Sequence, residues 1–167
     1  MTPGSAPVLA LKDATKSFGP IEVLHGIDFA LHPGEVHALI GENGAGKSTM
    51  MKILGGFLQP TSGQVLLDGA PARFRSGPEA EAEGVIVIHQ EFNLAQDLTV
   101  SQNIWLGREM GGFFLDHKAM RRATQALLDQ LECRVSPDAR VHDLPVSDRQ
   151  MVEIAKALSR NARVLIM

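Results

Sequence analysis

The chain has 167 residues, 44% of them apolar and 21% charged, with a net charge of −3 and a pI near 6.0. That length supports one domain with a real core, and the charge shows no basic excess of the kind that advertises nucleic-acid binding. The single cysteine, Cys133, excludes an internal disulfide and fits a reducing cytoplasm. The six histidines show no HxH, HExxH or CxxC partner spacing, so no zinc site is expected. Met1 to Pro7 is small and proline-rich, without a basic or an apolar region, and does not read as a signal peptide. The longest apolar runs, such as Val85–Ile88, are too short to span a bilayer, so any membrane connection is expected to go through a partner.

Residues 8–35 read as β structure. The expected strands are Val8–Leu11, Ile21–Leu24 and Ile27–Leu31, with turns at Gly19-Pro20, Gly26 and Pro33-Gly34. Val36–Ile40 is a short apolar run that fits a buried parallel strand. It leads into Gly41-Glu42-Asn43-Gly44-Ala45-Gly46-Lys47-Ser48-Thr49, the pattern G-x-x-x-x-G-K-[ST]. Strand, glycine-rich loop and helix form the context this pattern demands. A nucleoside triphosphate tail is densely negative, and binding it needs backbone N–H groups that can crowd around it. Gly41, Gly44 and Gly46 supply that freedom, Lys47 would reach the β- and γ-phosphates, and the Ser48 hydroxyl would ligate Mg²⁺. Thr49 lies at the start of a helix whose positive end faces the phosphates.

Past the loop, residues 48–54 are helix-compatible. Pro60–Gly63 is a turn into a strand at Gln64–Leu67, which ends at Asp68-Gly69. Pro78–Glu83 suits a short helix with its proline in the first turn. Val85–Ile88 reads as a second buried strand, and 90–98 as loop. A short helix is expected over Val100–Leu106, and a longer one over 117–131 with Asp116 as its N-cap. Ser136–Asp143 reads as loop, Arg149–Arg160 as a second amphipathic helix, and Val164–Met167 as another buried strand.

Several segments, in order, resemble the nucleotide-binding subunit of an ABC transporter. The run from Pro33 to Leu54 is similar to the importers of ribose, galactose, xylose and similar monosaccharides. So are Val87–Glu91, Asn103–Glu109 and Gln150–Leu158. The fold implied is α/β: a P-loop NTPase core with a parallel sheet, an N-terminal antiparallel β subdomain and a helical subdomain, incomplete in this chain. The implied divisions are a β subdomain at about 8–35, the P-loop core at 36–90, the Q-loop and helical subdomain at 91–160, and a strand at 161–167. The resemblance makes Gln90 the Q-loop glutamine, able to ligate Mg²⁺ or hold the attacking water, and so catalytic alongside Lys47. It makes Phe18 the aromatic that stacks on adenine, completing an ATP site with Glu42, Asn43, Ala45 and the rest of the loop. It assigns residues 90–106, Trp105 among them, to the surface that receives a membrane permease; the other reading of Trp105 is a side chain packed inward.

The implied function is ATP-binding subunit of a sugar importer, peripheral on the cytoplasmic face of the membrane. Its partners would be a second ATPase half, usually fused in the same polypeptide, and the permease. A periplasmic or extracellular sugar-binding protein acts indirectly, and no nucleic acid is implied. Two features depart from the family pattern. The signature Leu-Ser-Gly-Gly-Gln is replaced by Leu144-Pro145-Val146-Ser147-Asp148, a weak ATP clamp, which in this group would face a second half with an altered P-loop. The Walker B aspartate and catalytic glutamate would follow Met167, so this stretch alone is expected to lack ATPase activity. The strands that follow in the family would be missing too, leaving Val36–Ile40 as an apolar sheet edge, so self-association is expected. The rival readings are a soluble ABC-type module acting on nucleic acid or ribosomes, and an inert truncated product.

Overall fold

A computed structural model describes residues 6–89 and 93–167. Two units emerge, one of Met1–Ile86 with Ile166, the other of Val87–Leu165 with Met167.

The first unit is organised around one central strand. β1 (Leu9–Phe18) carries Leu9, Ala10 and Leu11 into the core and pairs on both sides. β2 (Ile21–Leu31) runs antiparallel to it, from Leu9 opposite Leu31 to Phe18 opposite Ile21. On the other side β3 (Ser62–Leu67) pairs antiparallel, and β4 (Ala70–Ala72) folds back on β3, giving the order β2-β1-β3-β4. The β3–β4 turn is Asp68-Gly69, both with positive φ (51° and 78°), the backbone that lets a two-residue hairpin follow the twist of its strands. α1 (Lys47–Leu54) packs on β1 and β2 and buries Met50, Ile53 and Leu54. α2 (Gly77–Ala82) starts at Ser76, whose Oγ accepts the Glu79 N–H at 3.4 Å, with Pro78 in the first turn where its missing N–H costs nothing.

The second unit is a layer of three mutually packed helices: α3 (Val100–Trp105), α4 (His117–Gln130) and α5 (Val146–Leu158). Thr99 and Gln102 close a reciprocal capping box at the start of α3, and Asp116 caps α4 through the Ala119 N–H at 2.8 Å. Val100, Ile104, Leu128, Val141 and Val152 form the core between them. Asn103 is fully buried there. Its carboxamide accepts the Ala95 N–H at 2.7 Å and donates to the carbonyls of Ala95 (2.9 Å) and Thr99 (3.1 Å), which fixes the loop before α3. Between α3 and α4, a bridge from Gly111 to Leu115 leaves Phe113 and Phe114 exposed, their rings edge-on at 5.1 Å. β5 (Val85–Val87) and β6 (Val164–Ile166) form a second, two-stranded sheet.

Several expectations need correction. Val36–Ile40 is not a strand: no described strand pairs with it, and Val36 and Ile40 are 99% and 92% exposed. An apolar, β-branched run carries strand propensity, but propensity becomes a strand only where a ladder partner lies alongside. Ile21–Leu24 and Ile27–Leu31 are one strand, not two. Gly26 (φ 66°) does not turn the chain but sits in an irregular stretch opposite Asp13 (φ 46°), whose N–H is taken by Asp28 Oδ1 at 2.8 Å. β1 reaches Phe18, well beyond Leu11, and β4 was unforeseen. α5 begins at Val146, earlier than Arg149, directly after Pro145, which stands at the N-cap position with extended backbone. The segment 136–143 includes a 3₁₀ turn at Val141–Asp143.

Asn103→Leu leaves the Ala95 amide and carbonyl without their partner in a partly buried setting. It should destabilise the helical unit by about 1–2 kcal/mol, measured by urea denaturation followed through the fluorescence of Trp105, the only tryptophan.

A candidate phosphate-binding loop

The candidate site begins where α1 begins. Residues 41–46 form a loop that turns back on itself: the Ala45 N–H donates to Glu42 O at 3.2 Å, and a Cβ built on Gly41 would sit 3.4 Å from Ala45 Cβ. Gly44 and Gly46 have φ of 89° and 84°. Gly46 is buried and has a second reason to be glycine. A Cβ there would meet Leu24 Cδ2 at 2.6 Å and Val23 O at 3.1 Å, so the loop rests against β2 only because that atom is absent. α1 then starts with no side-chain cap and no acidic residue in its first turn. Its leading N–H groups and the positive end of its dipole are therefore left without a capping or acidic side chain from the helix itself.

Lys47 is folded over this loop. Its Nζ donates to Gly41 O at 2.6 Å and Glu42 O at 2.8 Å, which holds the ammonium against the loop instead of leaving it extended in solvent. Gly41, Glu42, Asn43, Gly44, Ala45 and Ser48 are exposed, while Lys47 and Thr49 are half-buried. The Ser48 hydroxyl thus opens to solvent one residue after the lysine. The structure brings residues 41–49 together as one largely exposed, amide-rich loop with a single side-chain ammonium.

Phe18 stands at the end of β1 and is 47% exposed, so it is not a core aromatic. It pairs with Ile21, while Lys16, two residues earlier, pairs with Leu24. Leu24 is also the side chain that Gly46 approaches. The ring and the loop are therefore served by one short stretch of β2, Ile21 to Leu24, about 10 Å along a strand. Lys16 was not singled out from the sequence. Its Nζ lies 5.2 Å from the centroid of the Phe18 ring. The signal available was the two-residue spacing, which puts both side chains on one face of the strand.

Gln90 lies outside the described residues. Trp105 packs inward: it is 9% exposed, and its Nε1–H donates to Thr124 Oγ1 at 3.0 Å and Met120 O at 3.2 Å. Ile104 is buried as well, and of the three only Leu106, 46% exposed, offers surface. The segment in place of the ABC signature opens α5, with Val146 61% exposed and Asp148 in the first turn. Arg149 donates backward from there to Leu144 O and His142 O, both at 2.9 Å.

Among the described residues, no cluster of histidine, cysteine or carboxylate side chains could hold a metal ion by itself. Glu35, just before the loop-leading run, accepts the His32 N–H at 2.9 Å and contacts His37 Nδ1 at 3.1 Å. The His32 N–H, and after it the His37 side chain, hold the Glu35 carboxyl below its ordinary 4.5.

Comparison with known proteins fits this geometry. The family described as ABC transporter matches residues 24–167. The chain belongs to that family, and its fold is the α/β fold of ABC ATPases. Particular relatives narrow the likeness. The ribose import ATP-binding protein RbsA 1 of Rubrobacter xylanophilus is 54% identical over 96% of this chain and 32% of its own length. RbsA 2 of Streptomyces avermitilis is 51% identical over 98% of this chain and 33% of its own length. The chain thus spans about a third of the length of these relatives. Among solved structures, the dimeric post-hydrolysis state of the cassette MJ0796 bound to ADP and phosphate superposes with a TM-score of 0.73. It is 26% identical, over 94% of this chain and 72% of that one.

Gly46→Ala should destabilise the first unit by about 1–2 kcal/mol from the left-handed backbone alone, with the clash at Leu24 adding to it; thermal unfolding measures this. Glu35 should titrate below 4.5 in a carboxyl NMR series, because its folded form prefers the carboxylate. Its contribution to stability is present above the unfolded value and is lost as pH falls through the lowered one. A midpoint at or above 4.5 would contradict the hydrogen bonds given for it.

Proposed function

We propose that the chain is the leading part of an ATP-binding subunit of an ABC importer for a monosaccharide of the ribose type. The loop at 41–49 binds the nucleotide triphosphate. The observation that carries this is the conjunction at α1. A glycine loop held in left-handed conformation by its packing on β2 runs into an uncapped helix start, with one ammonium folded over it. Amide N–H groups of residues 44–49 surround the β-phosphate. Lys47 exchanges its two carbonyl acceptors for phosphate oxygens, a stronger, charge-assisted pair of hydrogen bonds. Phe18 presents its exposed face to the base. The Ser48 hydroxyl, a hard oxygen open to solvent, would hold Mg²⁺ together with Gln90, and the ion would supply neutralisation of the phosphate charge.

The choice of sugar import follows from the relatives, both named for ribose import. The same reading gives Gln90 its part in sensing the γ-phosphate, and makes the subunit peripheral on the cytoplasmic face of the membrane. A second ATPase half supplies the good signature that Pro145 and Asp148 do not. A permease docks on the helical unit, and a sugar-binding protein acts outside the membrane. Trp105 supports that docking surface from within instead of lining it.

Titration with a fluorescent ATP analogue in the presence of magnesium tests the nucleotide site. Lys47→Ala should weaken binding about tenfold or more, the value of a hydrogen-bonded charge. Equal affinity in the two proteins would overturn the phosphate-binding role of the loop.

A further inference from the structure

The end of β1 is held more firmly than an exposed strand end requires. Thr61 N–H donates to Thr15 O at 2.8 Å, Ser17 N–H donates to Thr61 Oγ1 at 3.0 Å, and Thr15 Oγ1 meets Ser62 Oγ at 2.8 Å. Lys16 belongs to the same fastening. Its Nζ donates to Gln59 O at 2.8 Å in a partly buried setting, and the Gln59 side chain in turn donates to Phe74 O. Lys16 thus has a fixed ammonium, not a solvated one. That ammonium sits 5.2 Å from the centroid of the Phe18 ring, within the range of cation–π attraction.

From this we infer that Lys16 is a positioning residue of the nucleotide site: anchored on Gln59, it holds the Phe18 ring in the orientation that stacks on the base. The inference rests on the proposed role of Phe18 as the base platform. A phenylalanine 47% exposed at a strand end has little packing to select one rotamer. The fixed cation supplies that selection, because the attraction is strong only when the ring face is turned toward it. One face of the ring is then engaged by Lys16, and the other is left for a flat partner. A ring already ordered loses less entropy when the base arrives, so the anchored lysine raises affinity without touching the nucleotide. The chemistry recognised is a planar heteroaromatic base linked to a polyphosphate whose other end lies in the 41–49 loop. Lys16 opposite Leu24, and Gly46 against Leu24, give the two ends their common support.

The test separates base from phosphate. Affinities of the 167-residue chain for ATP and for inorganic tripolyphosphate, each with magnesium, are measured by calorimetry for the parent, Lys16→Met, Phe18→Leu and the double variant. Lys16→Met keeps the apolar stem and removes the charge. The expected result is a loss of about two- to fivefold for ATP in Lys16→Met, with tripolyphosphate unchanged. Phe18→Leu should show the same selective loss, and the double variant should be no worse than Phe18→Leu alone, since the lysine acts only through the ring. Circular dichroism of each variant verifies that the β sheet is intact; if Lys16→Met loses the fold, Lys16→Arg, which retains a cation over the ring, must keep ATP affinity within twofold. Equal weakening of ATP and tripolyphosphate would make Lys16 a phosphate-attracting charge and overturn the inference. Additive losses in the double variant, or none in Lys16→Met, would overturn it too. If Phe18→Leu itself leaves ATP affinity unchanged, the base platform falls and the inference with it. If the parent binds neither ligand, the proposed function falls.

Discussion

The approach of Gly46 to β2 is the constraint on which the candidate site depends. With no Cβ, the loop backbone can lie against Val23 and Leu24 while keeping a φ of 84°, and α1 can start immediately after it. Move the loop outward by one methyl group and three things shift together: the direction of the α1 amides, the anchor of Lys47 on Gly41 and Glu42, and the spacing from the loop to Phe18. A single atom's absence therefore sets the geometry of a site whose chemistry lies in residues with no bulk of their own. The energetic logic is electrostatic. Helix-start amides are presented with no side-chain cap and no acidic residue in the first turn of α1, beside one ammonium, so a polyphosphate finds donors already oriented.

That arrangement leaves little for side chains to do beyond orientation, and the surrounding sheet supplies it. β1 is central, paired on both sides, and its last residues are tied to the 59–62 turn by several hydrogen bonds. The base end of the proposed site is thus mounted on the best-supported strand of its unit, and the phosphate end on the neighbouring strand. The helical unit is built differently. It is a small three-helix core in which buried Asn103 and the indole N–H of Trp105 satisfy polar groups that would otherwise be stranded. A residue such as Trp105 can then matter to a docking surface without being on it, by holding α3 against α4.

How much of this could be read from the residues varied with the physics behind each signal. The loop at 41–49 was legible because its glycines, lysine and serine each answer a local demand of phosphate chemistry, and α1 was legible with it. Caps were legible too: Asp116 sets the start of α4 as its side chain dictates. Val36–Ile40 misled because a β-branched apolar run reports propensity, whereas a strand is a property of pairs. Gly26 misled in the opposite direction, since a positive φ inside a long strand looks like a turn when the opposing irregularity at Asp13 is not in view. Trp105 was undecidable, because an indole serves equally as surface anchor and as core, and only the Thr124 hydroxyl on the next helix settles it. Lys16 was half legible: its two-residue spacing from Phe18 puts both on one strand face, but its anchor on Gln59 lies far along the chain. The family was legible from motifs in order, while Phe18's role rests on a likeness that the exposed ring supports.

The most direct test of the whole account is amide NMR of the isotope-labelled chain titrated with magnesium and a non-hydrolysable ATP analogue. Saturable shifts are expected at the amides of Gly44, Gly46, Lys47, Ser48 and Thr49, with ring shifts at Phe18 moving in step with them. Perturbation absent from these amides at saturating nucleotide, or concentrated on the helical unit instead, would contradict it.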